Sequence, residues 1–327
     1  MKVALHVYPR LQHRVGRPSE SRHIGFLGTT LVVAFLMALT LLMVGCSSSA
    51  TPVPLTPAPT ATATPMPPKP ANPELILSST TSTRDSGLLD VLIPIFQQKT
   101  GYQVKPIYSG SGAAMALGQK GEADVLLVHA PDSEVTFMQG GYGISRRLVM
   151  HNDFIFVGPA SDPAGIKGTT SALDAMKKLA ATEVPFYSRG DDSGTDQLEK
   201  KLWRTAGITP DRAWYFEAGL GMGDLLRVAS EKAAYTITDR ATYLANQKTV
   251  SLDVLVQGDP SLLNVYHVIQ VNPQLSTLIN AEGARAFADF MVDPATQLLI
   301  SKFGVDTYGQ PLFFPDAGKT EAGLGSK

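Results

Sequence analysis

The chain is poor in the side chains that build disulfide frameworks and most metal or nucleophile sites. Its 327 residues include one cysteine, so no internal disulfide can form. Beyond residue 73 the histidines are His129, His151 and His267; none stands at short helical spacing from another histidine or a cysteine, which removes the basis for a zinc site. Ser111 and Ser193 each precede a glycine, yet neither sits in a Gly-x-Ser-x-Gly elbow. The glycine loops lack the Gly-Lys-Ser/Thr ending of a phosphate loop. Asp191 and Asp192 are adjacent on a turn, point apart and supply too few oxygens for a hard cation. Charge is scarce too. Five of the 28 basic and one of the 29 acidic residues fall in the first 45, leaving 23 against 28. A net charge near minus five offers nucleic acid no footing, and any anion site must be built locally.

What the chain start holds is an export signal. Lys2, Arg10, Arg14, Arg17 and Arg22 precede the apolar run Ile24 to Val44, the order of a secretory segment. The run ends Leu42-Met-Val-Gly-Cys46. A small residue directly before a cysteine resembles the bacterial lipoprotein processing box, with Met43 where that box usually carries Leu. We expect residues 1–45 to be a cleaved signal and Cys46 to carry a lipid, the alternative being an uncleaved membrane anchor. Residues 46–73, rich in Pro, Thr and Ala, read as a semi-extended tether, and 317–327 as a flexible tail.

Between tether and tail, short β-branched runs alternate with amphipathic stretches. The runs are Leu75 to Leu77, Val104 to Tyr108, Val125 to Val128, Phe154 to Val157, Phe186 to Tyr187, Ala234 to Ile237 and Val265 to Val271. Helical patterns lie at Leu88 to Gln97, Leu173 to Ala180, Asp196 to Thr205, Asp224 to Glu231 and Ala281 to Met291. This alternation predicts an α/β fold, with a kink or break at Pro94.

The junctions carry the chemistry. Ser78-Ser-Thr-Thr-Ser-Thr-Arg-Asp-Ser-Gly87 follows the first run, Ser109-Gly-Ser-Gly112 the second, and Ser188-Arg-Gly-Asp-Asp-Ser-Gly-Thr195 the fifth; Gly219-Leu-Gly-Met-Gly223 and Thr238-Asp-Arg240 follow later ones. Each reads as a strand ending in a hydroxyl- or glycine-rich turn before a helix, where free backbone N–H groups and the positive end of the helix dipole favour an anion. Any one of them is an ordinary helix cap; their repetition at the carboxyl ends of strands argues for a ligand site. A doubly charged oxyanion leaving water needs its hydrogen bonds returned by fixed donors. Arg189 is the candidate charged donor, against a structural salt bridge to Asp191 or Asp192. His129 and His151 read as turn or hinge hydrogen-bonders, and Asp85 and Asp192 as caps for backbone N–H groups.

Five segments together resemble the tungstate-binding subfamily of bacterial extracellular solute receptors, the Tup-type component of ABC importers: Ser79 to Leu89, Gly121-Glu-Ala-Asp-Val-Leu-Leu-Val-His-Ala-Pro131, Asn152-Asp-Phe-Ile-Phe-Val-Gly-Pro159, Ser188 to Thr195 and Tyr235-Thr-Ile-Thr-Asp-Arg240. The resemblance implies a two-lobed type II periplasmic-binding-protein fold with a ligand cleft between the lobes, lobe one taking residues 74–151 and 273–316 and lobe two 152–272. Carried over, it puts Thr80, Thr81, Ser82 and Ser111 on one side of an oxyanion and Arg189, Ser193, Gly194 and Thr195 on the other. It implies no catalysis, no cofactor and no metal bound directly, the tungsten being held through its oxygens. The expected partners are tungstate, an ABC permease with its ATPase, and the outer face of the cell membrane through the lipid; the receptor is expected to be a monomer. Receptors for molybdate, phosphate or sulfate are the alternatives within this class. An extracytoplasmic serine hydrolase using Ser111 or Ser193 is the alternative outside it.

Overall fold

The computed structural model describes residues 69–324. The signal segment, Cys46 and nearly all of the tether lie outside them. β1 (Glu74–Thr80) runs into one helical turn, α1 (Thr81–Asp85), then α2 (Leu88–Thr100); β2 (Gln103–Ser109) leads to α3 (Ser111–Gln119) and β3 (Val125–Val128) to α4 (Pro131–Gln139). A 16-residue strand, β4 (Gly143–Gly158), follows. Next come α5 (Ala172–Thr182), β5 (Phe186–Ser188), α6 (Gly194–Thr205), β6 (Tyr215–Glu217), α7 (Met222–Glu231), β7 (Thr236–Asp239), α8 (Arg240–Asn246) and β8 (Asp253–Val256). β9 (Leu263–Val271), α9 (Ala281–Val292), α10 (Pro294–Lys302) and β10 (Phe314–Pro315) complete the fold.

The main sheet runs β10-β4-β9-β3-β1-β2. β1 is parallel to β2 and β3, and β9 lies antiparallel between β3 and β4. β4 belongs to both halves of the molecule: Gly143 to Asp153 pairs with β9, whereas Phe154 to Gly158 pairs with β7 and β8. Because successive side chains of a strand face opposite ways, Ile155 and Val157 enter the core containing Leu75, Phe96 and Leu225, while Phe154 and Phe156 enter a second one with Met176, Trp203 and Ile237.

Three expectations need correction. β9, placed in lobe two by a boundary at 272, hydrogen-bonds along its length to β4 and, over His267 to Gln270, to β3, which buries six successive residues from Asn264 to Ile269. α2 runs on through Pro94 without the expected break; Asp90, the residue whose carbonyl loses its partner, and Pro94 itself are both exposed, where a missing bond costs least. The first part of the expected tail is tied down: Glu321 accepts from Arg146 Nη1 at 2.6 Å and lies 3.1 Å from His267 Nε2.

Candidate functional site

Six helix N-termini follow the carboxyl ends of strands, and several meet between the two halves. From the first half come α1, capped by the Thr80 hydroxyl, and α3, which opens with Ser111. The helical pattern from Leu88, expected to follow the first turn directly, forms α2 with Gly87 as its cap position and no side-chain cap; α1 intervenes. From the second half come α6, capped by Ser193, α7, preceded by Gly221, and α8, capped by Asp239. Arg189 Nη2 donates across the gap to Thr81 Oγ1 at 3.2 Å. The Gly112 N–H donates to the Asp192 carbonyl at 3.0 Å, the Gly223 N–H to Asp85 Oδ2 at 3.1 Å and the Thr242 hydroxyl to the Ser82 carbonyl at 3.4 Å.

The turn carrying Arg189 is held by carboxylates. Asp196 Oδ1 accepts the Gly190 N–H at 3.1 Å and Oδ2 the Asp192 N–H at 3.0 Å, while Lys200 Nζ donates to Oδ2 at 3.0 Å. Asp191 Oδ1 accepts the Ser193 N–H at 3.2 Å, and its Oδ2 lies 2.5 Å from Arg189 Nη2. Thus Ser193 and Asp196 do not close a reciprocal box: the Ser193 hydroxyl accepts the Asp196 N–H, but the Asp196 carboxylate reaches back to Gly190 and Asp192. Asp192, expected as a backbone cap, turns its Oδ1 to Gln197. Two residues of the turn need the left-handed region, Gly190 at φ +59° and Asp192 at φ +56°, conformations suited to Gly and tolerated by Asp. At Gly190 a Cβ would also stand 2.6 Å from that of Glu217.

Buried polar atoms without partners gather here. The Ser82 hydroxyl, the Thr195 hydroxyl and Arg189 Nε have none among the described residues, and all three side chains belong to residues that are 1% exposed. A buried guanidinium N–H and two buried hydroxyls left unpaired cost free energy unless something returns their hydrogen bonds. Both ring nitrogens of His129 are also unpartnered. Burial, reinforced by the Arg189 guanidinium, pushes the His129 pKa down to about 3, so the ring is neutral. It packs 4.7 Å from the Tyr266 ring, and its carbonyl abuts Gly194 so closely that no Cβ fits there.

The expected site residues therefore divide. Thr81 and Arg189 are brought together. Thr195 and Arg189 present free donors, and the Ser82 hydroxyl faces the buried Asp239 carboxylate. Ser111 is fully buried, its oxygen accepting the His129 N–H at 3.5 Å. The Thr80 hydroxyl is engaged by Thr83, through N–H at 3.2 Å and Oγ1 at 2.7 Å, and Ser193 is a cap. Gly194 gives close approach. Asp239 was singled out only as part of a junction; it is fully buried, its Oδ1 accepting from the Thr242 N–H at 2.9 Å and its Oδ2 unpartnered, and burial pushes its pKa up.

Two α/β groups sharing a strand, with anion-favouring turns facing each other across the join, define a solute receptor. Comparison with known proteins agrees. A family model described as a PBP superfamily domain matches residues 58–295. The chain is 43% identical over 290 residues to the tungstate-binding protein TupA of Peptoclostridium acidaminophilum, covering 88% of this chain and 98% of that one. It is 38% identical over 241 residues to the tungstate-binding protein TupA of Campylobacter jejuni, covering 72% and 88%. The crystal structure of the tungstate ABC transporter from Geobacter sulfurreducens superposes with a TM-score of 0.65 at 43% identity, covering 70% of this chain and 98% of that chain. This chain belongs to the TupA family within the periplasmic-binding-protein superfamily. The α/β fold expected from the sequence is that of the family, and its relatives are binding proteins of transporters in place of the hydrolase kept as an alternative.

Proposed function

We propose that this protein captures tungstate between its two lobes, outside the cytoplasmic membrane, and delivers it to an ABC permease. The observation that carries the reading is the buried Arg189, with an unpartnered Nε, beside the unpartnered hydroxyls of Ser82 and Thr195 at a meeting of helix N-termini. Hydroxyls, backbone N–H groups and one guanidinium suit a fully deprotonated tetrahedral dianion. In this reading Thr81, Ser82 and Ser111 act from lobe one and Arg189, Gly194 and Thr195 from lobe two, with Thr80 and Ser193 shaping their turns. The salt bridge of Arg189 to Asp191 then orients the guanidinium for the ligand, since it occupies Nη2 and leaves Nε free.

Phosphate, which keeps a proton near neutral pH, benefits from a carboxylate acceptor. The Asp85, Asp191 and Asp196 carboxylates are all taken up by N–H groups or cations of the protein; the buried, unpartnered Oδ2 of Asp239 is the carboxylate oxygen that a protonated phosphate would have to use. Ligand binding would stabilise the closed arrangement by shifting an open–closed equilibrium. The sequence around Cys46 supports lipid anchoring of the mature chain, and mass spectrometry of the membrane-bound protein checks it: an intact 1–45 segment would overturn it. For the ligand, calorimetric titration of the soluble part with tungstate, molybdate, sulfate and phosphate is decisive. Tungstate is expected to bind most tightly; tighter binding of phosphate or sulfate would overturn the assignment.

A further inference from the structure

Away from the cleft, the C-terminal end of α6 and the segment leading into β6 enclose a groove of about 610 Å³ walled by Lys200, Trp203, Arg204, Arg212, Tyr215 and Phe216. Arg204 and Arg212 are exposed and, among the described residues, have no ion pair or side-chain hydrogen bond. Elsewhere Arg84, Arg146, Arg147, Arg189, Arg227 and Arg240 each meet a carboxylate; Arg285 on α9 is likewise unpaired among the described residues, but it does not line this groove. Beside the two free guanidiniums Phe216 stands 38% exposed. Unneutralised arginines next to aromatic surface are the composition of a protein contact, and in a net-acidic chain they select an acidic partner.

The groove is also wired to the candidate site. Lys200 on its wall binds Asp196 Oδ2 at 3.0 Å and Glu217 at 3.1 Å. Asp196 in turn holds the backbone N–H groups of Gly190 and Asp192, on either side of Asp191. Lys200 is thus shared between the groove wall and the network that holds the Arg189 turn.

We propose that this groove docks an acidic segment of the importer's membrane subunit, its carboxylates meeting Arg204 and Arg212 and an apolar side chain covering Phe216. The inference rests on the receptor function proposed above. The test uses the double variants Arg204→Glu/Arg212→Glu and Arg204→Ala/Arg212→Ala, first in calorimetric titration with tungstate, then with the cognate permease and ATPase reconstituted in liposomes. Tungstate affinity should stay within about threefold of wild type. Receptor-stimulated ATP hydrolysis at subsaturating receptor should fall about tenfold or more, with the Glu pair worse than the Ala pair and added salt weakening the wild type most. If both variants stimulate hydrolysis like wild type, the groove is not the docking surface. Should the charge-reversed pair fail to fold, the Ala pair decides. A wild-type protein that does not bind tungstate would overturn the receptor reading itself, a result separate from either of these.

Discussion

The two sides of the proposed site are built from different materials. The lobe-one side, Thr80 to Thr83 and Ser111, is built from hydroxyls and backbone, and Thr80 and Thr83 satisfy one another. The lobe-two side carries the charge, and Arg189 needs Asp191, Asp196 and Lys200 to hold its turn in place. Neutral donors can be fixed by a short helical turn; a buried guanidinium requires a network of counter-charges around it. Affinity should therefore be concentrated in lobe two and pH sensitivity with it.

The largest break in that asymmetry is Arg189→Ala, which should weaken tungstate binding by about 3 kcal/mol, on the order of a hundredfold. Arg189→Lys keeps the charge without the fork and should recover part of it; binding of the Ala variant near wild type, with the fold intact, would make Arg189 purely structural. Next comes Glu199, buried in lobe two, where Oε1 accepts from Tyr215 at 2.7 Å and from Trp203 at 3.1 Å. Burial pushes its pKa up to about 7 from the usual 4.5. The native state then keeps a proton that the unfolded chain releases above about pH 4.5, so this contribution to stability is complete below that pH and is lost as the pH rises to about 7. Glu199→Gln should remove up to about 3 kcal/mol of that pH dependence, read as a smaller change in denaturation midpoint between pH 5 and pH 8. Asp196→Ala, which frees two N–H groups of the Arg189 turn, should cost about 2 kcal/mol in urea unfolding and weaken tungstate binding as well. Ser82→Ala and Thr195→Val should each lower affinity about tenfold with little loss of stability. The smallest effect belongs to Thr80→Ala: about 1 kcal/mol of stability from the lost cap and only a minor change in titrated affinity.

Much of this was legible in the chain. Alternating β-branched runs and amphipathic stretches located most strands and the longer amphipathic helices, α2, α5, α6, α7 and α9, because each buries a face with its own period. The turns at Thr80, Ser111 and Arg189 were visible because hydroxyls and glycines punctuated strand ends. Long-range features were not. β4 extends back to Gly143 through Ser145, Arg146 and Arg147, residues whose polarity hides a strand that is stabilised by pairing with β9, more than 100 residues later. The free state of Thr195, against the engaged state of Thr80, depends on which neighbours meet each hydroxyl in space, and spacing along the chain carries no trace of that. Glu199 looked like one more polar residue on α6. The signal that could have found it is its place on the apolar side of that helix, with Leu202 and Trp203.

The order of strands in the main sheet bears on how the chain can be made. β3, Val125-Leu-Leu-Val128, is buried at every position, and one of its two neighbours is β9, supplied only by residues 263–271. Until that segment emerges during synthesis, an apolar strand edge stays unpaired, the kind of surface on which chains stick to one another. The sheet cannot close around β3 until the last fifth of the chain exists, so the segments made before it stay unlocked through most of synthesis.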